Sequence, residues 1–303
     1  MLRLTASIAQ AGHNGYNIRP TDHRSFSAAE AAQLDSVNRT LFDRCTYHEI
    51  QSAVSASHNN DRVVIMPGVY TEPTARRQPT NDSHCARDKI TGNMGGDIVG
   101  AVSYPYQVHC PNDQNLIAVI GRSLGAKHDP HPPPVDRHGI PNLGKCIRCN
   151  LQIEGSGVSA DDVVIEAGDP AASNGGPSAA GHAKDVGVRI DRADGAVLRN
   201  VTVRHAKEHD IYVLESNGYL LDSFKAFYAG EYGVLTFVED HGLIQNCEAA
   251  GSGDSGLYPG AGAKTSAGRN PAFYPESRYS QEMRFCDSHH NSGGYSGTDG
   301  SAT

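Results

Sequence analysis

The sequence predicts an all-β, stacked-repeat fold: a parallel β-solenoid with about 23 residues in each coil. Three observations carry this reading. The segments GVRI at 187, DIYV at 210, GVLT at 233 and GLYP at 256 recur every 23 residues, and LRNVTV at 198, LDSFKA at 221 and IQNCEA at 244 keep the same interval. The segments alternate with period two and are rich in Val, Ile, Tyr and Phe, which excludes a helical repeat. Gly and Asn stand at the corners between them, so each period holds two or more short strands. Neighbouring coils of such a stack sit roughly 4.8 Å apart, and residues one period apart become vertical neighbours. Two inward columns follow: Val188, Ile211, Val234 and Leu257; and Val201, Phe224 and Cys247, continued by Cys286.

Along the chain, residues 1–45 read as a polar N-terminal extension holding one short helix, SAAEAAQLDSVNRTLF. Residues 46–303 form the solenoid. Residues 46–57 give a capping helix with an apolar face of Ile50, Ala53, Val54 and Ala56, the kind of element that covers an open sheet edge. The turn His58 to Asp61 leads to RVVIM, a buried strand closed by Pro67 and Gly68. Residues 76–145 form a long loop region with one strand, NLIAVIG, and the stretch KHDPHPPPVDRHGIP, too proline-rich for helix or central strand. The regular coils begin at about 146, and a second long loop, 261–281, interrupts them before the column resumes at Cys286. The chain ends on GGYSGTDGSAT, in what reads as the start of a further, truncated coil.

Bulk properties narrow the function classes. The 303 residues carry a formal net charge of -8 and no Trp, with no Lys/Arg cluster interleaved with aromatic residues, which argues against nucleic acid as a partner. No apolar run approaches a membrane span. The first residues, MLRLTASIAQAGHNG, lack the apolar core of a signal peptide. Nothing in the pattern sets an oligomeric state.

The chemistry-bearing residues follow the same period. Glu208, Glu231 and Asp254 are evenly spaced and stack at one corner. Carboxylates that close raise one another's pKa unless a cation, a base or a shared proton relieves them, or unless they splay outward into water. Their neighbours are His205 and Tyr228 three residues earlier, His209 and Tyr232 just after, Tyr258, and His289 and His290 from the coil beyond the inserted loop. Carboxylate, imidazole and phenol on one ridge are the groups that general acid and base work on a sugar requires. The expected catalytic set is Asp254, Glu231, His205, His290 and Tyr258. The expected substrate-binding set is Lys225, Tyr232, His209, His289 and, from the loop, Tyr274 and Arg278. Glu208 is expected to be peripheral because Lys207 and His209 can neutralise it.

The segment IQSAVSASHNNDRVVIMPGVYTEP, together with the coils at 187–260, resembles the right-handed parallel β-helix proteins of the pectin-lyase-like superfamily, in which a capping helix leads into a PGVY strand. The resemblance covers about 46–74 and 146–297 and implies a right-handed parallel β-helix. Its members include pectate and alginate lyases, polygalacturonases, uronate epimerases, phage tailspikes and non-enzymatic surface proteins, so it is specific for fold and open on activity. Signature motifs are mostly missing. EDHG at 239–242 only superficially matches a GHG turn, RNPAFYPESR has the wrong spacing for RxPxxR, and the epimerase-like Asp129-Pro130-His131 falls in the proline-rich loop.

Seven cysteines leave at least one unpaired within the chain. Cys146 and Cys149, with His109 and Cys110, are compatible with a zinc site, with a bridge or with ordinary burial. Cys85 and Cys110 are the natural disulfide of a secreted protein, whereas Cys247 and Cys286 suit a core column as small hydrophobes. No resident metal or cofactor is read from the pattern; calcium is the cation to consider where a uronate substrate needs one. The expected function is a carbohydrate-active enzyme, a lyase, hydrolase or epimerase, working on an extended polysaccharide or oligosaccharide, extracellular or at a cell surface. The alternative is a non-catalytic β-helix that binds or displays glycan.

Overall fold

A computed structural model describes residues 27–76, 109–110, 112–122, 146–168, 184–237, 239, 241–260 and 281–297. Helix α1 (Ala28–Phe42) opens the described chain, started by a capping box in which Ser27 and Glu30 bond reciprocally. Helix α2 (Ile50–Ala56) buries Ile50 and Val54, leaves Ala53 half-buried and turns Ala56 to solvent, so its apolar face is narrower than expected. Its first amides are satisfied by a distant side chain: Ile50 and Gln51 donate to the buried Glu72 carboxylate at 2.8 and 3.0 Å.

Among the described residues sixteen strands follow in six coils, all pairings between named strands being parallel. The first flat face stacks β1 (Arg62–Ile65), β4 (Gln152–Gly155), β7 (Val197–Arg199) and β10 (Leu220–Asp222). The second stacks β2 (Gly68–Tyr70), β5 (Val163–Glu166), β8 (Thr202–Arg204) and β11 (Lys225–Phe227). Strands β13 (Gly242–Ala250) and β15 (Gln281–His289) are long enough to serve both faces, one half each. The third face stacks β3 (Asn115–Ile120), β6 (Val186–Asp191), β9 (His209–Leu214), β12 (Tyr232–Phe237), β14 (Ser255–Pro259) and β16 (Gly293–Tyr295). This is a parallel β-helix. Two further elements are short: helix α3 (Pro73–Arg76) and a 3-10 turn at Ala160–Asp162.

The expected columns are present. Val188 pairs with Ile211, Ile211 with Val234 and Val234 with Leu257, all buried, and Ile117 of β3 extends the column by one coil. Val201, Phe224 and Cys247 are likewise buried in the same core, and Cys247 lies opposite Cys286. Two expectations need correction. Coils begin at β1 rather than near 146, with β3 as the third side of the first coil. The RVVIM strand is an edge strand that exposes Arg62 and Val64 and buries Ile65, because among the described residues only β4 pairs with it. Helix α2 covers that open end: Gln51 Oε1 accepts from Ala118 N at 2.7 Å and its Nε2 donates to Ala118 O at 3.2 Å, which satisfies the free edge of β3.

Cys247 and Cys286 form a disulfide, which corrects their reading as plain hydrophobes: stacked neighbours in one column bring the two Cα atoms to 4.4 Å, within bonding range. Cys146 and Cys149 are bonded to each other, so they are not thiolate ligands for zinc. Cys110 is disulfide-bonded, while Cys85 lies outside the described residues. Cys45 is free. The Asp129-Pro130-His131 motif, most of the 76–145 loop and residues 261–280 also lie outside the described residues. Among the described residues no helix is long and apolar enough to cross a membrane.

One interior position departs from the repeat. Gly187, Gly233 and Gly256 occupy the same place in their coils, and a Cβ on Gly233 would lie 2.6 Å from Gly256 O. The equivalent residue between them in sequence is Asp210, fully buried, whose Oδ1 accepts from Ala206 N at 3.1 Å and whose Oδ2 has no hydrogen-bond partner of good geometry among the described residues. Burial pushes its carboxyl well above the usual range, the Ala206 amide offsetting only part of this.

Candidate functional site

The corner between the second and third faces lays down the acid row. Backbone bonds run up the stack from Glu208 N to Asp185 O (2.9 Å), Glu231 N to Glu208 O (2.9 Å) and Asp254 N to Glu231 O (2.8 Å). The row therefore has four members, and Asp185, one period below Glu208, was missed although KDVGVRI carries it at the same offset. Lys207 reaches Asp185 at 3.5 Å. It does not neutralise Glu208, whose carboxyl is raised by desolvation and by the Asp185 and Glu231 charges in spite of Lys207. Glu231 is raised by desolvation and by the charge of Asp254. Asp254 is exposed and accepts a hydrogen bond from Ser255 Oγ at 2.9 Å.

Beside this row the third face carries a ladder of rings. Strand alternation and the parallel register bring them together: His209 pairs with Tyr232, and Arg189, Tyr212, Leu235 and Tyr258 form the next column. Tyr258 and Tyr232 lie 4.5 Å apart, Tyr232 stacks on His209 at 5.3 Å, His209 meets Tyr212 edge-on at 5.4 Å, and the Arg189 guanidinium lies 4.7 Å over the Tyr212 ring. His209 Nδ1 is 3.6 Å from Glu231 Oε2. Desolvation, then the Arg189 charge, lowers His209 to about 4, so its ring is neutral near pH 7. The Tyr232 hydroxyl is pushed up to about 12 by desolvation and the Glu231 and Asp254 charges. Lower on the same face a cleft of about 400 Å³ is lined by Arg189, Arg192, Glu208, His209 and Tyr212 among others.

Glu231, Asp254, Tyr258, Tyr232 and His209 thus share one ledge. His205 does not join it. It is buried one side of the corner away, with Nδ1 2.8 Å from Glu166 Oε1 and its ring stacked on Tyr228 at 5.1 Å. Arg204 Nε donates to Glu166 Oε2 at 2.6 Å. Burial acts to raise Glu166, but Arg204 and His205 overcome it and hold the carboxyl at about 2.

Lys225, His289 and His290 form a separate cluster on the second face. Lys225 Nζ is 2.9 Å from Asp161 Oδ2 and 3.4 Å from Glu248 Oε2, and His289 Nε2 is 3.2 Å from Glu248 Oε1. His289 Nδ1 in turn lies 2.6 Å from His290 Nδ1. A cleft of about 450 Å³ opens beside Lys225, Glu248 and Asp287, with exposed Val158 and Phe285 at its mouth. Glu248 was legible as the residue one period after Lys225; Asp161 and Glu166 were not, because insertions of irregular length separate them from their partners. Tyr274 and Arg278 lie outside the described residues. Among the described residues no group of three or more His, Cys, Asp or Glu converges to hold a metal ion.

The fold and the ledge define a parallel β-helix with a ring-and-carboxylate surface on its third face. Neither a family model nor a curated protein matches the chain. Among solved structures it is similar to a pectin methylesterase mutant in complex with hexasaccharide IV, at 11% identity over 73% of this chain and 49% of that one, with a TM-score of 0.33. It is likewise similar to a pectin methylesterase in complex with hexasaccharide VII, at 12% identity, 75% and 60% coverage and a TM-score of 0.34. The chain thus spans between 49% and 60% of those two proteins.

Proposed function

We propose that the ledge binds an extended polysaccharide or oligosaccharide along the solenoid axis and that Glu231 and Asp254 act on it, making the protein a carbohydrate-active enzyme. One observation carries this reading: the ladder Tyr258–Tyr232–His209 runs along the axis with two carboxylates of consecutive coils at its edge. Aromatic rings give a sugar its stacking face, and paired carboxylates give glycosidic chemistry its acid and its base or nucleophile. Glu231, whose proton affinity is raised, is the acid that protonates the leaving oxygen. Asp254, open to solvent beside Ser255, is the carboxylate that assists attack. Tyr258 and Tyr232 position the sugar. Hydrolysis fits this pair better than β-elimination, which needs a cation or Arg over the sugar carboxylate, because Arg189 and Arg192 are already engaged by Asp191 and Glu215. The disulfides Cys146–Cys149 and Cys247–Cys286 favour an extracellular or cell-surface setting.

The second reading, glycan binding without turnover, is favoured by the exposure of Asp254. Incubation with a panel of acidic and neutral polysaccharides, with and without calcium, distinguishes the outcomes. New reducing ends indicate hydrolysis, unsaturated-uronate absorbance indicates elimination, and binding with neither indicates display. Asp254→Asn should abolish turnover with an unchanged melting temperature. Wild-type turnover and binding in that variant would remove Asp254 from the site.

A further inference from the structure

We infer that the glycan taken by this ledge carries protonated amino groups rather than carboxylates, an inference that rests on the ledge being the glycan site. The charge census of the third face motivates it. Asp185, Glu208, Glu231 and Asp254 lie in four consecutive coils along one edge. Lys207 pairs with the lowest acid of the row, Asp185, at 3.5 Å, and the other cations within reach are spent elsewhere: Arg189 is held by Asp191 at 2.9 Å, and Arg192 by Asp191 at 3.1 Å and Glu215 at 2.7 Å. Above Glu208 the described residues place no Lys or Arg against Glu231 or Asp254, and the one basic group there, His209, is a neutral ring.

A second observation is independent of the acids. His209 is nine-tenths buried, its side chain 9% exposed, and among the described residues its Nδ1 has no hydrogen-bond partner of good geometry although it faces Glu231 Oε2 at 3.6 Å. A buried polar atom left unpaired costs stability and persists where a ligand group completes it. The ring ladder supplies the sugar's stacking surface, the carboxylate edge supplies acceptors repeating every coil, and together they match a glycan with a regular series of ammonium donors. A polyuronate would instead lay its carboxylates against an edge of the same sign.

The test measures binding of three hexasaccharides to the full chain under mildly acidic, low-salt conditions that keep amines protonated: a glucosamine oligomer, its N-acetylated counterpart and an oligogalacturonate. Calcium and EDTA arms are included. The glucosamine oligomer should bind about tenfold more tightly than the N-acetylated one, with the difference shrinking as salt rises. The double variant Glu231→Gln, Asp254→Asn should bring the two affinities together, and Tyr258→Ala should weaken both. Oligogalacturonate binding as tightly or more tightly, in either calcium arm and lost in Tyr258→Ala, would overturn the inference while leaving the ledge as a glycan site. An amine preference that persists in the double variant would also overturn it. Binding of none of the three would overturn the glycan reading and the inference with it.

Discussion

Asp210 is the one acid placed inside the coil stack at a position held elsewhere by glycine, and Asp210→Asn tests how that placement is tolerated. Its folded-state pKa lies well above the unfolded value of about 3.9, so the folded protein keeps a proton that the unfolded chain releases. Stability from this group is then full below the unfolded pKa and declines as pH rises toward the folded one, by roughly 1.4 kcal/mol for each pH unit. His209 runs the other way: lowered to about 4, it costs stability as pH falls from its ordinary 6.5 toward that value, because the unfolded chain binds the proton first. The two slopes oppose each other in the wild type. The informative quantity is therefore the difference between wild type and Asp210→Asn, in which His209 and the acid row cancel. Urea melts across the pH range should show the variant gaining steadily on the wild type as pH rises above about 4. Parallel stability curves, or a variant less stable at neutral pH, would refute the assignment of Asp210 as a buried, protonated group.

Two further outcomes follow from the core and the buried pair. Phe224 is buried between Val201 and Cys247, and the disulfide to Cys286 restrains the coil above from collapsing, so Phe224→Ala should cost roughly 3 to 5 kcal/mol with an unchanged m-value in denaturant. Glu166, held at about 2 against an ordinary 4.5, contributes stability on the order of 3 kcal/mol that is fully present above 4.5 and lost as pH falls through 2; Glu166→Gln should flatten that acid limb of the stability profile.

The period was legible because backbone pairing enforces it. Between β6 and β14 every register pair is one 23-residue step, and the inward column could be written down from Val188 to Leu257 without coordinates. The same logic should have delivered Asp185. Where insertions break the step, sequence distance no longer encodes height: β4 pairs with β7 from Gln152 to Val197, and Glu166 meets Arg204 across an irregular excursion. The splitting of the expected site has a different cause. Residues three positions apart straddle a corner, so His205 and Glu208, neighbours in sequence, leave on different faces, with His205 turning through a positive φ of 61°. Period alone gives height in the stack; it does not say which side of a bend a side chain takes.

The nearest-neighbour pairing of the coils also sets how the chain comes together in time. Each rung is bonded only to the one above and the one below, so folding propagates coil by coil rather than through a single global contact. The coils built on β7 through β13 close the shortest loops, one period each, and meet the smallest entropy cost. They are the segment expected to order first, with the growing front then crossing the longer excursions to β4 on one side and β15 on the other. Since His209, Glu231 and Tyr232 lie within that early block, most of the ledge would be assembled before the ends of the solenoid are in place.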